Sequence, residues 1–166
     1  MDRSNARDVI AFAGRPDAEG RGSEYDGTPY SAFGYECSGK QSDDAFPVLE
    51  TKSGRHGPNC RTVFWINLRT RKLGDFYTSA GRYSESHGVS IGMSTARAER
   101  LLHKRASVGC GEEILLGKRN RTLTIALTGG SIRNTGPSGA LRLSGGHVYA
   151  FALHGWNSDI GIFDCL

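Results

Sequence analysis

The chain has 166 residues, 37% hydrophobic and 9% aromatic, and its 21 Lys+Arg against 17 Asp+Glu leave a formal charge of +4. At this length about 70% of the unfolded surface can be buried, so one ordinary domain or two very small ones can hold a core without metal or a dense disulfide lattice. Composition excludes disorder, collagen and coiled coil, and no apolar run approaches the ~20 residues of a membrane helix.

The first predicted element is a short helix over residues 2–10, capped by Asp2, with apolar residues at i, i+3 and i+4 spacing. A Gly/Pro-rich break over 14–29 follows, then a Cys-bearing strand at 35–37 and a loop over 38–59. Strands at 61–67 and 73–78 are joined by a turn over 68–72. A second short helix starts after the cap residue Ser94. Strands are then expected at 108–110, 113–116, 122–127 and 148–153, with a last one at 160–165. The order helix, Cys-bearing strand, strand, strand therefore occurs twice. At its start, Met1 lies over Met93, Ala6 over Ala98, and Val9-Ile10 over Leu101-Leu102, without a gap. The reading is α+β: two tandem helix-plus-sheet units, 1–84 and 85–166, sharing one compact core. Gly92 and an apolar lead precede Met93 while nothing precedes Met1, so the repeat predicts a polypeptide that starts upstream, with an export signal there.

Four cysteines, Cys37, Cys60, Cys110 and Cys165, include no CxxC pair and no His at zinc-ligand spacing. That favours two disulfides and an oxidising compartment over a metal site. The basic set Arg97, Arg100, Lys104, Arg105, Lys118, Arg119 and Arg121 raises nucleic acid as a partner, but no aromatics interleave as a stacking platform requires. A solvated helix side and a charged hairpin loop are the favoured reading.

The segment Val89-Ser90-Ile91-Gly92-Met93-Ser94-Thr95-Ala96-Arg97-Ala98-Glu99-Arg100-Leu101-Leu102 resembles the Gly-Met-Ser/Thr helix start of the beta-lactamase inhibitory protein family and of the small lipoprotein of the outer-membrane assembly machine. The resemblance implies an α+β fold in which each half sets a helical hairpin against an antiparallel sheet, the two sheets making a concave binding face. No interface residue carries over by motif. The favoured bridges are Cys37 to Cys60 and Cys110 to Cys165, other pairings staying open, and the favoured location is secreted, periplasmic or cell-envelope, with a cytoplasmic protein holding reduced thiols as the alternative.

On strand 61–67, Phe64 and Ile66 share one face and Val63 and Trp65 the other, so one large apolar pair is expected away from the main core. On 148–153, Tyr149, Phe151 and Leu153 are expected on one face and Val148, Ala150 and Ala152 on the other. If the sheets form a concave surface, Trp65, Tyr77, Tyr149 and Trp156 are candidate anchors, because Trp and Tyr dominate interface energies. The expected function is a non-catalytic, inhibitor-like module that binds another protein, with no cofactor and no metal. The alternative is a small basic secreted ribonuclease-like enzyme in which Glu85, His87, His154 and Arg61 supply acid–base and phosphate-steadying groups. His103 reads as a helix-end cation, and His147 and His154 have opposite strand parity, so they form no dyad. No nucleophile elbow, phosphate-binding loop or HExxH motif is present.

Overall fold

The structure, a computed structural model, describes residues 4–23, 27–38, 46–47, 58–108, 112–118, 121–133 and 140–154. The fold is α+β: α1 (Ala6–Ala13), β1 (Ala18–Ser23), β2 (Pro29–Ser38), β3 (Phe46–Pro47), β4 (Asn59–Asn67), β5 (Lys72–Thr78), α2 (Thr95–Leu102), β6 (Ser107–Val108), β7 (Glu112–Lys118), β8 (Arg121–Arg133) and β9 (Ala140–His154). Five antiparallel strands run in the order β1-β2-β4-β5-β9. Beyond β9 the sheet continues through β8, β7 and β6, and β3 pairs with the start of β4.

The helices start by different means. Asn5 caps α1: its side chain accepts from the Arg7 and Asp8 amides, and the Asp8 carboxylate accepts from the Asn5 amide at 2.8 Å. This reciprocal box satisfies donors that a helix start leaves orphaned. The cap is thus Asn5, where the sequence pointed to Asp2. Ser94 stands at the cap of α2 but makes no side-chain cap bond. In the ungapped match of Met1 to Met93, Asn5 lies over Arg97, so the two caps fall three positions apart. The buried stripe also differs: Val9 is buried and Ile10 exposed, whereas Leu101 is exposed and Leu102 buried.

β4 is covered on both faces. Val63 and Trp65 pack with Tyr30, Ala32, Cys60, Tyr77 and Ala150, while Phe64 and Ile66 pack with Val9, Phe33 and Tyr35 under α1. One pair does lie away from the other's cluster, but neither is open to a partner, because a central strand flanked by β2 and β5 is sandwiched between two apolar clusters. A third cluster joins Val89, Ala98 and Leu102 to Val148 and Phe151 of β9. Phe33, Phe64, Phe76 and Leu153 stand opposite one another across β2, β4, β5 and β9. Thr78, two residues after Phe76 on β5, stands opposite Phe151 of β9, so α1 and α2 cover the same face of the sheet.

The alternation expected for 148–153 is interrupted. β8 and β9 shift register between Ala126 and Leu127, pairing Ala126 with Ala150 but Leu127 with Val148. The extra residue is Tyr149, a bulge that breaks strict alternation. Tyr149 and Ala150 therefore both join the cluster of Trp65, and Val148 joins Phe151 beneath α2.

Within the break expected over 14–29 lies β1, an edge strand whose exposed Glu19 and Arg21 discourage further pairing. Gly22 sits opposite Tyr30, and any Cβ there would collide with the Tyr30 ring. The Cys37–Cys60 disulfide forms as expected, between directly opposed residues of β2 and β4 with a sequence separation of 23. Cys110, Cys165 and the strand expected at 160–165 lie outside the described residues.

Candidate functional site

The aromatic residues expected on an open face are placed differently. Trp65 is 1% and Tyr77 3% exposed, filling the interior of the cluster around Val63, so neither presents surface to a partner. Tyr149 is half-buried against the same cluster, and its burial raises the phenol pKa. Trp156 lies outside the described residues.

The surface aromatic site lies on the helix-bearing face instead. Phe12, in the last turn of α1, is 73% exposed, and Ile10 is 40% exposed. With Ala6, Val9 and Ala13 turned inward, Ile10 and Phe12 fall on opposite flanks of that stripe at 100° per residue. The Phe12 ring does not stand alone. Its centroid is 6.4 Å from Tyr83, which is 5.6 Å from Phe76, which is 4.8 Å from Phe64, itself 5.8 Å from Tyr35. These spacings lie in the range of favourable aromatic pairs. A continuous aromatic chain thus runs from the core to a ring in solvent.

Charged groups border this chain. The Arg82 guanidinium lies 5.1 Å from the Tyr83 ring centroid and donates to its hydroxyl at 3.3 Å. Arg82 also pairs with Glu36 at 3.3 Å, and Arg61 approaches the same carboxylate at 3.9 Å while donating to the Ser79 carbonyl at 2.7 Å. Glu36 has φ +54, a left-handed conformation that costs a non-glycine residue about 1–2 kcal/mol. Beside it, Tyr35 donates from its hydroxyl to the Gly14 carbonyl at 3.0 Å, tying the end of α1 to β2.

Two of the four groups of the enzyme reading meet. Residues 84–90 form a tight hairpin closed by the Ser84–Ser90 bridge, with Val89 buried beneath α2. At its turn the Glu85 carboxylate contacts the His87 ring Nδ1 at 2.6 Å, accepts from the His87 amide at 2.6 Å, and accepts from the Ser86 hydroxyl at 2.7 Å. An ionised carboxylate only accepts, so Nδ1 carries the proton and Nε2 remains. The His87 side chain is 63% exposed and that of Glu85 5%. Burial pushes the Glu85 carboxyl up, but the hydrogen bonds from His87 and Ser86 outweigh it and hold the group below the usual carboxylate range. Arg61 makes no hydrogen bond or ion pair with this turn, being held at Glu36 and Ser79. The backbone of His154 pairs with Thr122 at the far end of β9.

Among the described residues no cluster of three or more His, Cys, Asp or Glu could hold a metal ion, and no helix is long and apolar enough to cross a membrane. Sequence reasoning missed Phe12, Tyr83 and Arg82. The available signal was an aromatic residue on an eight-residue helix too narrow to bury it. The chain matches no protein family, no curated protein and no solved structure.

Proposed function

We propose that this protein is a non-catalytic, inhibitor-like module that binds another protein through the outer face of α1. The observation that carries the reading is Phe12, a large aromatic ring exposed on an ordered helix, backed by Tyr83 and bordered by Arg82. Aromatic and arginine side chains concentrate binding energy at interfaces, and a ring already braced by neighbours loses little freedom on docking. The scaffold reading is two tandem units, 1–84 and 85–166. What supports it is order: α1 precedes the antiparallel strands β1, β2, β4 and β5, α2 precedes β6 to β9, and β5 pairs with β9. The Cys37–Cys60 disulfide supports a secreted or envelope location. The test is parallel capture from one extract of the native source by immobilised wild type and Phe12→Asp. A specific protein retained by wild type and lost by the variant is expected; identical captures overturn the reading.

The 2.6 Å contact between Glu85 and His87 favours a second reading, acid–base chemistry at the exposed turn. Incubation with labelled RNA decides it. Cleavage abolished by His87→Ala, with the protein still folded, would replace the binding reading.

A further inference from the structure

The sheet ends at β1, whose chemistry the α1 site does not use. Among the described strands β1 pairs with β2 alone, so the amides and carbonyls along its other side meet no described strand. Such a row is a template for pairing with another chain, and the side chains beside it decide which chain can use it. Glu19 and Arg21 stand opposite Phe33 and Ser31 of β2. Phe33 lies under α1, so both charges project on the helix-bearing face. Both are exposed, and neither forms a salt bridge among the described residues. The opposite face of β1 carries only Ala18, Gly20 and Gly22 before the strand ends, so no bulky side chain of β1 obstructs an approach there.

We propose that β1 pairs antiparallel with β1 of a second copy of this chain, about a two-fold axis at Gly20, joining the two sheets into one. Residues two apart on a strand share both a face and a backbone direction. With Gly20 opposite Gly20, Glu19 meets Arg21 of the second copy and Arg21 meets its Glu19, on one face and with the outward backbone groups matched. The neighbouring registers that keep this match are repulsive: one sets Glu19 against Glu19, the other Arg21 against Arg21. Opposite charges directly across a strand pair stabilise it, and like charges destabilise it. The two side chains that turn away an apolar strand thus admit a copy of their own strand in one register.

An exposed apolar side chain lies on the same side. Phe12 stands against Tyr83, which packs on Phe76 of β5 and joins the cluster under α2. Ile10, on the opposite flank of α1 and 40% exposed, therefore points toward the β1 edge, and each copy brings one Ile10 to the seam. A two-fold axis perpendicular to the sheet keeps both α1 helices on one face and leaves each Phe12 turned away from the seam. The dimer therefore neither rests on the α1 docking reading nor competes with it.

A contact through one six-residue strand is smaller than most stable interfaces, so dissociation is expected in the range of roughly 10–100 µM. Sedimentation equilibrium of the full chain across that range, at low salt, should show a mass rising from 17.9 kDa toward double. Glu19→Arg and Arg21→Glu, both at exposed positions, should keep the circular-dichroism spectrum. Each should weaken the dimer about tenfold or more, because two attractive pairs become two repulsive ones. The double variant, Glu19→Arg with Arg21→Glu, should restore the dimer, since the complementary order is only reversed. Four results overturn the proposal: a monomer throughout the range, a dimer that neither single variant weakens, a double variant as weak as the single ones, or a dimer lost in Phe12→Asp.

Discussion

α1 and α2 are both eight residues long and cover the same face of one sheet, yet they present opposite chemistries to solvent. α1 is locked at its start by the Asn5–Asp8 box and exposes Ile10 and Phe12. α2 has no side-chain cap bond and is anchored by Ala98 and Leu102, leaving Ala96, Arg100 and His103 outward. A helix this short has little stability of its own, so each depends on what lies beneath or before it. Both helices rest on buried side chains, Val9 in α1 and Ala98 and Leu102 in α2; the one that adds a local cap carries an exposed aromatic ring on its outer face, and the one without carries charge.

The largest expected effect lies beneath α1. Phe64→Ala removes the buried ring that joins Tyr35 to Phe76 in the aromatic chain and should cost about 3–5 kcal/mol in denaturant unfolding, against about 2–3 kcal/mol for Leu102→Ala beneath α2. A smaller Phe64 effect would mean that the chain does not brace Phe12. Reduction of Cys37–Cys60 should cost roughly 3 kcal/mol, and hydrogen exchange should rise first in β2 and β4, the strands under α1. Equal acceleration in the α2 amides would contradict the division. Next comes the caps: Asn5→Ala should lose about 1 kcal/mol, whereas Ser94→Ala should change stability by less than about 0.5 kcal/mol.

The smallest effects are in pH. Glu85 has its folded pKa lowered, so its contribution is present above the unfolded carboxylate range and lost as pH falls through the lowered value. Acid should therefore loosen the 84–90 hairpin and the α2 side, and Glu85→Gln should remove that dependence. Tyr35, on the α1 side, has its pKa raised by burial and by neighbouring charges such as Tyr83. Its contribution is full below the ordinary value near 10.0 and lost as pH rises through the raised one. Tyr149 adds to this alkaline limb from the opposite face. Tyr35→Phe should then flatten the alkaline limb only in part, and an alkaline limb unchanged by it would remove the difference between the two sides.

Much of the strand pattern was readable, because the run of aromatic and β-branched residues over 62–66 and the turn over 68–72 act locally. β1 was not, since Ala18–Ser23 has two glycines and no strand preference of its own; pairing with β2 and the room that Gly22 leaves for Tyr30 create it. The α1 cap was misplaced because Asp2 and Asn5 are equally good cap residues, and only the reciprocal bond with Asp8 separates them. The binding residues were the least legible. Trp65 and Tyr77 look like anchors until a second cluster covers their face, and the parity of Tyr149 depends on a bulge that nothing in 148–153 announces. Phe12 gains its role from Tyr83, 71 positions along the chain, a contact that no local pattern encodes.

The most direct test of the docking claim places a photoreactive phenylalanine at position 12 and, in a second protein, at position 68. Leu68 is 40% exposed and lies outside the aromatic chain, in the turn between β4 and β5. Irradiation in the native extract should join one specific protein to position 12 and not to position 68. The same product from both positions, or none from position 12, would contradict the proposed binding face of α1.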